Sequence, residues 1–144
     1  MKFKIRNAEL HDCESILELT NQLGYKSTYK EIKNRLEKLL GNVDNCVFVA
    51  VENGKTIGWI HGFYSLHVES RPFVEIGGLV VDEHSRTKGV GKTLVEHVEK
   101  WSKSINCFQI RVRSNTKRME SHKFYERIGF NKSKEQKIFD KLMK

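Results

Sequence analysis

The residues that could do chemistry concentrate between Leu79 and Leu94, LVVDEHSRTKGVGKTL, in a chain of 144 residues. An apolar strand ends, a loop with Arg86, Lys88, Gly89, Gly91 and Lys92 follows, and a helix starts. Glycines let a backbone turn with its N–H groups facing outward. Those donors and the positive end of a helix dipole together form an anion site. The three cations add charge beside it, so the natural ligand is a phosphate or pyrophosphate. The bland alternative is a helix-capping loop with incidental cations. The pattern GxxxxGK[ST] is absent, and Leu94 stands where a dinucleotide fingerprint needs its third glycine.

No other constellation competes. Cys13, Cys46 and Cys107 are scattered and odd in number, which rules out a disulfide scaffold or a readable zinc site. The six histidines show no HExxH spacing, so no metal is expected. Hydrophobic residues make up 38% and charged residues 31%, a globular composition with no apolar run of membrane length and no signal-peptide core. A cytoplasmic address is the default. The net charge of +8 favours an anionic partner without choosing among nucleic acid, membrane surface and phosphorylated small molecule.

The elements that must position the loop alternate in type. A first strand is expected at 3–6 and a helix at 10–23, with Ile16, Leu19 and Leu23 on one face and Gly24 behind it. Thr28 with Glu31 forms a capping-box signature opening a helix over 28–40, which Gly41 ends. Strands at 46–52 and 55–68 flank the turn Asn53-Gly54. Pro72 breaks the chain before a strand over 73–82, where Gly77-Gly78 suggests a bulge or a close approach. The helix over 90–104 buries Val90, Leu94, Val98 and Trp101. A strand at 107–113, a helix at 117–128 capped by Ser114 or Asn115, and a last strand at 136–142 complete the order β-α-α-β-β-β-α-β-α-β. No linker or repeat interrupts it, so one domain over 1–144 is expected.

Arg86-Thr87-Lys88-Gly89-Val90-Gly91 after Leu79-Val80-Val81-Asp82 resembles the acetyl-CoA-binding motif of the GCN5-related N-acetyltransferases (GNAT). Ser114-Asn115, followed by Ser121 to Phe130 (SHKFYERIGF), is similar to the strand–helix block of that family. The resemblance implies an α/β (α+β) fold. Its central sheet would be mixed and mostly antiparallel, with roughly 6–7 strands and about four flanking helices.

It also implies roles. Backbone N–H groups from Arg86 through Thr87, Lys88, Gly89, Val90 and Gly91 to Lys92 would hold the CoA pyrophosphate, and Thr93 belongs to the same cofactor site. Leu79, Val80 and Val81 would pair with the pantetheine arm like an added strand, in a gap where the 73–82 strand splays from the 107–113 strand. Asn115 would contact the cofactor from the opposite wall, and Ser121 would pack near the pantetheine. Tyr125 would reprotonate the departing thiolate, a phenol of pKa ~10 being protonated at neutral pH. Its plain alternative is a packed aromatic. Many members carry a glutamate as base where this chain has Gly77, so the base falls to Glu75, the nearest carboxylate on the strand. Residues 75, 77 and 79 share a face if the strand is regular, and a bulge would change that phase. The oxyanion donor is expected to be a backbone N–H near Leu79.

The implied reaction is direct transfer of the acetyl group of acetyl-CoA to a primary amine of a small molecule in a ternary complex. Tyr25, Tyr29, Trp59, His61, Phe63, Tyr64, His67 and Glu69 lie in segments that would shape the acceptor pocket. A protein or peptide amine is the sibling alternative. A non-catalytic acyl-CoA binder or a nucleic-acid module is the alternative from another class, although no nucleic-acid signature accompanies the basic residues. No membrane partner is expected, and a homodimer is, because splayed strands leave edges to cover.

Overall fold

A computed structural model describes residues 2–86 and 88–144, in two compact units, Met1–Val112 and Arg113–Lys144. The first unit holds strand β1 (Lys4–Asn7), helices α1 (Cys13–Gln22) and α2 (Tyr29–Leu40), and strands β2 (Asn45–Glu52), β3 (Lys55–Ser65) and β4 (Phe73–Val81). It continues with helix α3 (Val90–Ser104) and strand β5 (Ile110–Val112), while helix α4 (Met119–Arg127) lies in the second unit. The strands form one sheet in the order β1-β2-β3-β4-β5, antiparallel throughout except for the parallel pair β4–β5. This is the expected mixed α/β architecture with five strands rather than six or seven.

Local chemistry explains the elements that sequence predicted well. Thr28 Oγ1 accepts the Glu31 amide at 3.2 Å and the Glu31 carboxylate accepts the Thr28 amide at 2.9 Å, which closes the capping box of α2. Asn53 and Gly54 both adopt positive φ, 51° and 76°, as a tight β2–β3 hairpin demands. Ahead of α1, residues Leu10–Asp12 form a 3-10 turn in place of the expected first helical turn. There the buried Asp12 takes two 2.8 Å hydrogen bonds from Arg6 and a third from the Glu9 amide. Burial opposes ionisation of Asp12, but those donors hold its carboxyl below the usual range.

The sheet has two dressed faces. On one, α3 buries Val90, Leu94 and Val98 against β3, and glycines make the approach possible. A Cβ at Gly62 would stand 2.8 Å from Val98 Cγ1, and one at Gly58 would stand 3.2 Å from Leu94 Cδ1. On the other face, Cys13, Ile16 and Leu36 pack on Val47 and Val49, with Trp59 against them.

Three expected strand boundaries need correcting. The strand over 107–113 shrinks to Ile110–Val112, and Phe108 is exposed. The return strand stops at Ser65 rather than Val68, and Leu66 and Val68 are exposed. Residues 136–142 form no strand. Their alternation is not matched by any strand pairing, and Ile138, Phe139 and Leu142 are exposed. The last helix begins at Met119 after Arg118, with no side-chain cap from Ser114 or Asn115. Among the described residues, no helix is long and apolar enough to cross a membrane.

Candidate active site

The sheet opens at β4. Its pairing with β5 runs Val74↔Ile110, Glu75↔Arg111 and Ile76↔Val112 and stops there, while β4 continues from Gly77 to Val81. Beyond Ile76 that backbone edge has no strand beside it among the described residues, because β5 ends at Val112. A bulge sits at the same point. His61 faces Gly78 and Gly62 faces Ile76, so Gly77 is the extra residue.

The double glycine makes room for two rings. A Cβ at Gly77 would stand 2.7 Å from His61 Nδ1, and one at Gly78 would stand 2.7 Å from Trp59 Cη2. The bulge also decides the phase of β4. Glu75 pairs with Phe63 and Leu79 pairs with Ile60. Paired residues share a face, and Phe63 and Ile60 are three apart, so Glu75 and Leu79 lie on opposite faces. Glu75 thus joins the face of Trp59, His61 and Phe63. The regular-strand expectation, with 75, 77 and 79 on one face, does not hold.

The loop after β4 is held at its base. Gln22 Nε2 donates to the buried Asp82 at 2.9 Å, a bond that, with lesser help from nearby groups, keeps that carboxyl below its usual range. Arg86 Nε donates to the Val81 carbonyl at 3.3 Å. Lys88 Nζ donates to Glu52 Oε1 at 3.1 Å, while Glu52 Oε2 is buried without a partner among the described residues. Thr87 lies outside the described residues. Gly89 takes φ +79° with nothing within 4 Å of its would-be Cβ, and α3 starts at Val90 without a side-chain cap. The amides of Val90, Gly91 and Lys92 therefore have no intrahelical acceptor, and only the Thr93 amide, at 3.1 Å, and hydroxyl, at 2.9 Å, turn back to the Gly89 carbonyl. Outward amides, a positive helix end and nearby cations fit a pyrophosphate. The edge from Gly77 to Val81, with Val80 buried and Leu79 and Val81 half-buried, fits an extended amide-bearing arm added as a strand.

In the second unit, the Asn115 side-chain oxygen accepts the Lys117 amide at 2.9 Å, and its carbonyl lies 2.8 Å from His122 Nε2. Ser121 is half-buried in the first turn of α4. Tyr125 packs edge-on against Phe124 and Phe130 at centroid distances of 5.1 and 5.5 Å. Burial raises its phenol pKa against an opposing pull from Arg118, so it stays protonated at neutral pH.

The profile of the Acetyltransferase (GNAT) family matches residues 10–130. The chain belongs to that family. It is an acetyl-CoA-dependent N-acetyltransferase, with acetyl-CoA as co-substrate. Glucosamine 6-phosphate N-acetyltransferase of Arabidopsis thaliana is 31% identical over 141 residues, covering 91% of this chain and 92% of the relative. A crystal structure of a glucosamine-6-phosphate N-acetyltransferase from the same plant superposes with a TM-score of 0.82 at 27% identity, covering 97% of this chain and 100% of the other. The aminoglycoside N-acetyltransferase AAC(6')-Iy, solved with a CoA-containing bisubstrate analogue, shares the fold at a TM-score of 0.89 and 21% identity over 99% of this chain and 100% of the other.

Within this acetyltransferase the cysteines are poor nucleophiles. All three are buried, and burial pushes the Cys46 thiol up to about 12. A cavity of about 470 Å³ lies elsewhere, between Ala8, Leu39 and Trp101, and includes neither the β4 edge nor the Arg86–Lys92 loop. Sequence reasoning missed Gln22, Glu52 and Asn45. The first two grip the loop and its strand, and Asn45 Oδ1 lies 2.7 Å from His61 Nε2. No spacing rule links such distant positions.

Proposed function

We propose that this acetyltransferase moves the acetyl group of acetyl-CoA to a primary amine of a small molecule by direct attack in a ternary complex. The observation that carries the reading is the β4 edge that past Ile76 has no strand beside it among the described residues, next to a glycine-started helix. Acetyl-CoA supplies an activated acetyl thioester. The amides of the first turn of α3 hold its pyrophosphate, with Arg86, Lys88 and Lys92 adding charge, and the Leu79–Val81 edge holds its pantetheine arm. Thr87, Thr93, Asn115 and Ser121 complete the cofactor path in this reading.

The acceptor lies on the face that carries Trp59, His61, Phe63 and Glu75, with Glu75 contributing a carboxylate near the amine. Arg111, level with Glu75 and 4.0 Å above the Phe73 ring, gives that end of the face a cation. This cation and the glucosamine 6-phosphate relatives support amino sugar phosphates as the first acceptors to try. Tyr125, kept protonated by burial, reprotonates the thiolate. A single domain that pairs with a second copy belongs to the same reading, supported by the exposed Ile138, Phe139, Leu142 and Met143. Sedimentation at a single species of monomer mass would reject the dimer.

Calorimetric titration with acetyl-CoA and free CoA, followed by a panel of primary amines with thiol release as readout, tests the proposal. Micromolar binding, about −8 kcal/mol, and turnover of at least one amine are expected. Tyr125→Phe should keep CoA affinity and lose about 10²-fold in kcat. A folded protein that binds neither form of CoA overturns the reading. One that binds and acetylates only peptide amines moves the acceptor class.

A further inference from the structure

Asn45 Oδ1 lies 2.7 Å from His61 Nε2. An amide oxygen only accepts, so Nε2 carries the hydrogen and Nδ1 keeps its lone pair. That lone pair has a defined place. A side chain at Gly77 would begin 2.7 Å from Nδ1, and Gly77 is both the bulge residue and the first β4 residue past the last β5 pair. The imidazole nitrogen therefore lies beside the point where β4 runs on past the end of β5. Glu75 shares this face but lies further back, level with Arg111, where β5 still covers β4.

We infer that His61 is the general base that takes the proton of the acceptor amine at Nδ1, with Asn45 as the positioning residue that fixes its tautomer. The inference rests on the acetyltransferase reading above. The proton leaves the amine nitrogen for Nδ1, the nitrogen lone pair forms the bond to the acetyl carbon, and the carbon–sulfur bond breaks with its electrons on sulfur. Half-burial beneath the Phe63 ring, whose centroid is 5.5 Å away, keeps the imidazole neutral by lowering its pKa. On the strands beside it the titratable group of that face is Glu75 on β4; β2 presents Asn45 and Val47, which do not titrate.

Long-range proton–nitrogen spectra of histidine-labelled protein, taken without ligand, read the tautomer directly. The Nε2–H form is expected for His61 at neutral pH, and the Nδ1–H form overturns the inference. With an amine that the wild type acetylates, His61→Gln should lose about 10²-fold in kcat/KM while calorimetric CoA affinity stays unchanged. Asn45→Asp puts a carboxylate on Nε2, stabilises the imidazolium and should move the acid limb of the kcat/KM profile to higher pH. A purely structural Asn45 would lower activity at every pH and leave the limb in place, which counts against the inference. If His61→Gln fails to fold, the tautomer and the Asn45→Asp limb decide. Wild-type protein that binds no acetyl-CoA overturns the acetyltransferase reading and this inference with it. Turnover by wild type beside an equally active His61→Gln overturns the base assignment alone.

Discussion

Gly89 allows backbone strain and anion binding to be measured apart. Its φ is +79°, and a Cβ there meets nothing within 4 Å. Alanine therefore adds no clash and costs only the left-handed conformation, about 1–2 kcal/mol for an L-residue. Asparagine tolerates that region and should cost a few tenths, by the order of its αL preference. Glutamate carries the strain of alanine and adds a carboxylate beside the amides of Val90 and Gly91, where the pyrophosphate would sit. At a separation of about 5 Å and an effective dielectric of about 20, each like-charge contact costs about 3 kcal/mol before screening. A strained loop relaxes when free and must return to the left-handed conformation on binding, so calorimetry with free CoA should rank asparagine within about twofold of wild type, alanine up to about tenfold weaker, and glutamate more than about 100-fold weaker. The gap between alanine and glutamate should narrow with added salt, and melting curves on the same samples control for folding. Wild-type affinity in the folded glutamate variant would refute the assignment of this loop to the pyrophosphate. Equal losses for alanine and glutamate would show that strain alone acts and that no phosphate lies nearby. Gly91→Glu is a poorer test, because Gly91 is buried in the first turn of α3 and a charge there would disturb packing as well as binding.

The buried Asp12 has its carboxyl held below the usual range, so its contribution to stability is full above the unfolded value near ~3.9 and is lost as pH falls through the lower folded value. Arg6→Met should cost about 1–2 kcal/mol at neutral pH, reduced from a fully buried pair because Arg6 is 39% exposed, and denaturant melts across the acid range would show a flatter decline; a wild-type profile would count against the pair. Glu52→Gln should release Lys88 from its 3.1 Å ion pair and tighten CoA binding by about two- to fivefold, and unchanged affinity would mean that Lys88 does not meet the phosphates. Gly62→Ala should destabilise by about 1–3 kcal/mol, because its Cβ would press to 2.8 Å on Val98, whereas Gly41→Ala, with its nearest contact at 3.6 Å, should be near neutral; equal melting temperatures would reject the packing argument.

Elements specified by neighbours in the chain were readable without coordinates. The Thr28–Glu31 box, the Asn53-Gly54 turn and the Val90, Leu94, Val98 stripe each act within a few residues, and each stands where its residues put it. The double glycine was readable as either a bulge or a close approach, and it is both, since Gly77 is the extra residue and His61 and Trp59 fill the space of the missing side chains. Alternation over 107–113 and 136–142 marks two faces of a segment, but whether a strand pairs there depends on residues far away in the chain. The contacts that organise the site are of the same distant kind, joining Gln22 to Asp82 across 60 positions and Lys88 to Glu52 across 36.

A site built largely from backbone, with loop amides for one end of a ligand and a strand edge for the other, shows itself in sequence chiefly through its glycines. The side chains that act on the acceptor leave no such mark, because a register shift of one residue decides which of them face it. Here the bulge at Gly77 turns Leu79 to the α3 side and leaves Glu75 with His61 and Phe63 on the other. The glycine loop proposed for the cofactor was therefore legible as a loop before a helix, and the face proposed for the amine was not.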